Sequence, residues 1–188
     1  LRNLSYSESQ EEVIKTFSLL TYKPIIYVCN VDENSLIDGN QFSKLVEAYS
    51  NESNLGCMKI SAKIESEISG FKLESEKKEF LESIGLQETS LSKLISKGYE
   101  ILDLITFFTS GPKESRAWSI KKGTLVPDAG AKIHTDFKTG FIKAEVISYE
   151  DFVKFDGEAK CKENGRLKLE GKEYIVNDGD VITFRFNV

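Results

Sequence analysis

The sequence lacks the signatures of several common protein classes. No stretch fits G-x-x-x-x-G-K-[ST], the loop with which many nucleotide-binding enzymes hold phosphate. No apolar run approaches the ~20 residues that a membrane-spanning helix requires, and residues 1–5 show no part of a secretory signal. With no C-x-x-C pair and a single histidine, the sequence predicts no metal site.

Cysteine and positive charge are also scarce. Cys29, Cys57 and Cys161 are far apart, so the sequence predicts free thiols and a reducing, cytoplasmic compartment. The 188 residues carry a net charge of −5, which lies in residues 1–102, while residues 103–188 are balanced. Neither part has the basic excess of a protein held to nucleic acid mainly by phosphate contacts, so no DNA partner is predicted.

The first hundred residues alternate between helical and strand patterns. The run from Ile25 to Cys29 is apolar and β-branched, as is typical of a parallel strand buried on both faces. Ser7 and Gln10 form a capping-box pattern before a helix. This alternation predicts an α/β domain with a parallel sheet, although two strands are too few for a stable open sheet. The predicted helices are 8–21, 38–49, 74–84 and 90–105, and the predicted strands are 25–29 and 57–60.

The pattern changes near residues 109–112, where a Gly-Pro pair marks a turn. Beyond it, short alternating runs and turn residues predict a small α+β unit. Residues 167–176 predict a hairpin around Gly171. The other predicted elements are strands 115–120, 141–147 and 181–186 and a short helix over 129–134.

Polar loops follow the first two predicted strands. Asn30-Val31-Asp32-Glu33 comes directly after the first strand, and Ser61-Ala62-Lys63 comes after the second. They are similar to the two base-reading loops of a P-loop nucleotide-binding domain. The first loop is equally compatible with a strand-to-helix turn, because Asn, Asp and Glu commonly cap the next helix.

The chain resembles the YchF / Obg-like ATPase family, a branch of the translation-factor P-loop NTPases. The resemblance covers essentially the whole chain and corresponds to the second part of a full-length member. Its most specific part is Gly111-Pro112-Lys113-Glu114-Ser115-Arg116-Ala117-Trp118. The other matching blocks are residues 23–33, 60–63, 133–137, 140–146, 149–152 and 178–181.

The resemblance implies a division of the chain into three parts. Residues 1–22 would be the end of a helical arm, and residues 23–105 the C-terminal half of a P-loop NTPase domain. Residues 106–188 would be a TGS domain, a β-grasp-like α+β module. The P-loop, both switch regions and all catalytic residues are expected upstream of Leu1, which is not an initiator methionine.

The resemblance also implies roles for the loop residues. Asn30 would contact the base, the Val31 backbone would lie near the exocyclic amine, and Glu33 would lie nearby. The Asn-Lys-x-Asp loop of ordinary GTPases ends in an Asp that accepts two guanine donors. Glu33 is one methylene longer, so that bidentate contact would not fit without a shift, and the family implies ATP over GTP. The opposite wall of the site would consist of Ser61, Ala62 and Lys63.

The parent protein would bind ATP, or GTP, with Mg²⁺, hydrolyse it and associate with ribosomes. The 188-residue chain is expected to hydrolyse nothing and to bind ATP weakly at best. A different function is a non-catalytic TGS module that docks on RNA, the ribosome or a protein partner. Candidate contacts for that role are Lys121, Lys122, His134 and Lys143, although the sequence favours a turn or capping role beside Asp136 for His134.

Overall fold

A computed structural model describes residues 4–187 of the chain. The chain divides into two compact units, Leu1–Ile101 and Leu102–Val188. No helix in the described part is long and apolar enough to cross a membrane.

Unit 1 contains a two-stranded parallel sheet with helices. The predicted capping box is confirmed: Gln10 N donates to Ser7 Oγ, and Ser7 N donates to the Gln10 side chain. The helix that follows ends at Thr16 rather than at residue 21. The elements are α1 Glu8–Thr16, β1 Ile26–Asn30, α2 Gln41–Glu52, β2 Gly56–Ile60, α3 Ala62–Gly70, α4 Glu74–Ser83 and α5 Ser90–Ile101.

Two predictions of secondary structure in and after unit 1 are wrong. Ser61-Ala62-Lys63 is predicted to be a loop, but Ser61 is the N-cap of α3 and the other two residues form its first turn. The predicted helix 90–105 ends at Ile101, and Leu104 already begins a strand. Short apolar runs fit a helix or a strand equally well, and pairing with a neighbouring strand decides between them here.

The core of unit 1 lies around the segment after β1 and helices α3 and α4. The apolar residues Phe42, Leu45, Val46 and Tyr49 share a face of α2, and that face is largely exposed. Phe42 is 75% exposed, Leu45 64% and Tyr49 57%. A two-stranded sheet offers too little surface to cover that face. The buried core residues are Val31, Leu36, Ile64, Ile68 and Leu81.

Unit 2 is a five-stranded mixed sheet in the order β4-β3-β7-β5-β6. Phe107 and Phe184 belong to its core and make an edge-to-face ring contact. The elements are β3 Leu104–Ser110, β4 Ser115–Lys121, α6 Val126–Ala131, α7 Thr135–Thr139, β5 Phe141–Ser148, α8 Tyr149–Lys154, α9 Glu158–Glu163, β6 Lys168–Glu170 and β7 Asp180–Phe186.

The predicted hairpin over 167–176 is wrong. Strand β6 pairs with β5 rather than with the residues after Gly171. Those residues run beside the start of α6 instead: Ile175 forms a bridge with Leu125, and Val176 N donates to Thr124 O. Val176 is buried in the core, so burial of this side chain favours the longer-range pairing.

Candidate functional site

The polar segments 30–33 and 61–63, which we call the two loops although the second begins α3, meet at one edge of the sheet of unit 1. Strands β1 and β2 are parallel, and the last residue of β1, Asn30, lies opposite the last residue of β2, Ile60. Val31 N donates to Ile60 O at 2.9 Å, which continues the ladder by one residue. The Val31 side chain is 7% exposed and belongs to the core, so only its backbone can face a ligand.

Asn30 connects the two loops directly. Ala62 N donates to Asn30 Oδ1 at 3.1 Å. Because a backbone N–H can only donate, the amide oxygen must face Ala62 and the NH₂ group must point elsewhere. Asn30 is exposed, so its NH₂ group can donate to an acceptor from solvent.

Glu33 and Lys63 form an ion pair across the loops. Lys63 Nζ lies 3.3 Å from Glu33 Oε2 and 3.9 Å from Glu67 Oε1. The side chains of Lys63 and Glu33 are 70% and 45% exposed, so the pair contributes about 0–1 kcal/mol to stability. The two residues are 30 positions apart, and no sequence signal links them before the parallel register is known.

The hydroxyl of Ser61 has a structural role. Ser61 is 1% exposed, and Ile64 N donates to its Oγ at 3.5 Å, which caps α3. Asp32 acts in the same way, because Ser35 N donates to Asp32 Oδ1 at 2.9 Å. The loops can therefore cap the helices that follow and also read a base. The side chains of Asp32 and Ser61 serve as N-caps, whereas Asn30 is the N-cap of neither helix.

The candidate contacts in unit 2 do not form one cluster. Lys121 ends β4 at one side of the sheet and its Nζ donates to Leu102 O at 2.5 Å. Lys143 lies on β5, and two strands, β3 and β7, separate β5 from β4. A hydrogen bond from Arg185 is the main reason that the pKa of Glu145 is lowered, and the nearby charge of Lys143 adds to this lowering. His134 caps α7, where Asp136 N donates to its Nδ1 at 3.3 Å.

Comparisons with known proteins bear on both units. Residues 104–187 match a family model named YchF-GTPase_C and described as a protein of unknown function (DUF933). Over its full length the chain is 47% identical to the ribosome-binding ATPase YchF of Bacillus subtilis, of which it covers 51%. It is 44% identical to the protein of the same name from Haemophilus influenzae, again covering 51%. The chain thus spans about half the length of the curated relatives it matches.

Two solved structures resemble the chain. The YchF GTPase of Schizosaccharomyces pombe has a TM-score of 0.84 at 32% identity, over 98% of this chain and 49% of that one. A GTP-binding protein from Pyrococcus horikoshii has a TM-score of 0.60 at 16% identity, over 88% and 46%, and shows the fold alone. The fold is therefore the α/β fold of a region of YchF and GTP-binding proteins. Over its full length the chain corresponds to the C-terminal region of YchF proteins.

Proposed function

We propose that this chain is the region of a ribosome-associated nucleotide-binding protein that recognises the base, and that the whole protein binds and hydrolyses ATP in the cytoplasm. In this proposal residues 1–22 end a helical arm, residues 23–105 are the second half of a P-loop NTPase domain, and residues 106–188 are a TGS domain. The relatives that match the full chain are ribosome-binding ATPases, which supports the proposal.

The observation that carries the base-recognition part is the hydrogen bond from Ala62 N to Asn30 Oδ1. It holds both loops together and leaves the Asn30 NH₂ group as a donor for an acceptor such as purine N7. The backbone of Val31 and the first turn of α3, with Ala62 and Lys63, then form the walls of the site. Ser61 stabilises that turn as the N-cap of α3, because its side chain accepts a hydrogen bond from Ile64 N.

The same geometry favours adenine over guanine. A guanine clamp needs a carboxylate that faces the ring N–H and the exocyclic amine together. Glu33 is longer than the Asp of ordinary GTPases, and Lys63 competes for its carboxylate at 3.3 Å. A site that leaves a ligand's polar groups unpaired discriminates less strongly in its favour.

Hydrolysis in the whole protein would be phosphoryl transfer to water by positioning and electrostatic stabilisation. Mg²⁺ would neutralise charge on the phosphates when bound. The described residues contain no group of three or more His, Cys, Asp or Glu side chains that could hold a metal ion, so none is assigned to Mg²⁺. We expect this chain by itself to show no turnover and to bind ATP weakly.

A titration of the chain with adenosine and guanosine, followed by amide NMR, tests the base site. Adenosine should shift the amides of Asn30, Ala62 and Lys63 more than guanosine does, and Asn30→Ala should abolish the shifts. Glu67→Ala is the matched control, since Glu67 lies 3.9 Å from Lys63 but outside both loops. Equal shifts with both nucleosides would contradict the adenine preference, and shifts confined to other residues would contradict the site itself.

A second function, docking by unit 2 on RNA or the ribosome, is favoured by one observation. Residues 104–187 match a family model that covers only this part of the chain, and unit 2 has its own core. Sedimentation of the chain with ribosomal subunits tests it. Lys121→Glu with Lys122→Glu should reduce co-sedimentation, while Asn30→Ala should leave it unchanged. The reverse pattern would assign ribosome binding to the loops of unit 1.

A further inference from the structure

Strand β4 forms an open edge of the five-stranded sheet. It pairs with β3 over seven consecutive residues without a register shift, and within residues 4–187 no strand pairs with its other side. It contains no proline and no bulge, the devices that usually block further pairing at an edge. Strand β6 forms the opposite edge and has only three residues.

The hydrogen bonds at the two ends of the β3–β4 pair show which backbone groups of β4 face outward. Gly111 N donates to Glu114 O at 3.0 Å, and Lys122 N donates to Asp103 O at 2.9 Å. Glu114 and Lys122 are an even number of residues apart, so both bond toward β3. In an antiparallel pair, inward and outward bonding alternate along a strand. Ser115, Ala117, Ser119 and Lys121 lie on the alternate positions. Ser119 is half-buried and makes a contact of its own, whereas the other three residues are exposed.

The charges along this edge are mostly positive. Residues 111–122 contain four basic residues and one acidic residue, Glu114. The basic residues are Lys113, Arg116, Lys121 and Lys122. The guanidinium of Arg116 lies 4.9 Å from the centre of the Trp118 ring, which keeps that charge at the sheet edge. This positive stretch stands out in a chain with a net charge of −5.

We propose that β4 binds an extended acidic segment of a partner protein as an additional antiparallel strand. Backbone hydrogen bonds to Ser115 and Ala117 would hold the segment, and its carboxylates would face the surrounding cations. A second copy of this chain is a less favourable partner, because antiparallel pairing of two β4 strands centred on Ala117 would place Lys113 opposite Lys121.

The test uses the 188-residue chain and a capped heptapeptide that alternates glutamate with threonine. Amide NMR should show shifts confined to residues 113–122 and slower exchange of the Ala117 amide proton. Ala117→Pro removes an outward donor without touching the bonds to β3, and should weaken binding at least about tenfold. Ala117→Val keeps the donor and should bind as the unchanged chain does.

Further variants and probes keep the result decisive. Lys113→Glu should weaken binding about threefold to tenfold, whereas Lys132→Glu, on an exposed residue beside α6, should not. If Ala117→Pro fails to fold, a peptide N-methylated at alternate residues should still lose binding to the intact chain. Equal binding by the N-methylated peptide would overturn the proposal. The proposal would also be overturned if a single-stranded RNA oligonucleotide shifted the amides of residues 113–122 while the peptide shifted none.

Discussion

The two units use opposite strategies to bury their apolar side chains. Unit 2 closes a five-stranded sheet over a core in which Phe107 and Ala144 are fully buried. Unit 1 has two parallel strands, and its helix α2 exposes Phe42 and Leu45. A parallel sheet is normally covered by helices on both faces. The two strands of unit 1 offer too little surface to bury all of its apolar side chains. We therefore expect unit 1 to be the less stable of the two.

The largest expected effect compares one phenylalanine from each unit. Phe107→Ala removes a side chain that is 0% exposed and should destabilise unit 2 by about 3–5 kcal/mol. Phe42→Ala removes one that is 75% exposed and should change stability by about 0.5 kcal/mol or less. Urea unfolding, followed by amide NMR in each unit, measures both. A large loss for Phe42→Ala would mean that α2 is covered and that the comparison fails.

A smaller effect is expected from two glycines of unit 2. A Cβ on Gly140 would lie 1.8 Å from Asn187 O. The two residues are held together because Asn187 N donates a hydrogen bond to Gly140 O. Gly140→Ala should therefore cost about 1–3 kcal/mol and loosen the end of β7. Gly171→Ala meets nothing within 4 Å and serves as the control in the same thermal unfolding experiment. Similar melting temperatures for both variants would show that Asn187 can move away freely.

The third prediction concerns pH and the Tyr174–Asp180 hydrogen bond. Burial and, to a smaller extent, the 2.7 Å hydrogen bond to Asp180 raise the pKa of Tyr174 to about 12. The folded unit therefore favours the protonated phenol. Its contribution to stability is complete below pH ~10, the pKa of an unfolded tyrosine, and is lost as the pH rises toward 12. Tyr174→Phe should remove this part of the alkaline decline, as measured by urea unfolding at a series of pH values. An unchanged decline would assign it to other groups.

The smallest effect is expected at the loops of unit 1. Lys63→Ala breaks the exposed ion pair with Glu33 and should lower stability by less than about 1 kcal/mol. The same variant should increase the response of the Glu33 amide to guanosine, because the carboxylate is released. Lys78→Ala, which breaks the exposed pair with Glu82, controls for the general loss of a surface charge. A stability loss well above the control would show that the pair holds the loops together.

Local signals predicted the elements that local energetics control. The capping box at Ser7 and Gln10, the apolar strand that became β1 and the alternating strand that became β7 are all present. The loops at Asn30 and Ser61 were also recognisable, because polar residues directly after strands mark the carboxyl edge of a parallel sheet. Their assignment to a nucleotide base remains a prediction.

Long-range pairing decided the rest. Residues 104–110 could be helix or strand until β4 and β7 offered partners, and Val176 lies beside Thr124 because the core buries it there. The exposure of the α2 face also depends on how many strands the sheet contains, which no helical periodicity encodes. By itself the sequence determined the caps, the strand character and the residues of the two loops. Only the tertiary structure brought Asn30 to Ala62 and Glu33 to Lys63, because the register of two parallel strands joins positions about 30 residues apart.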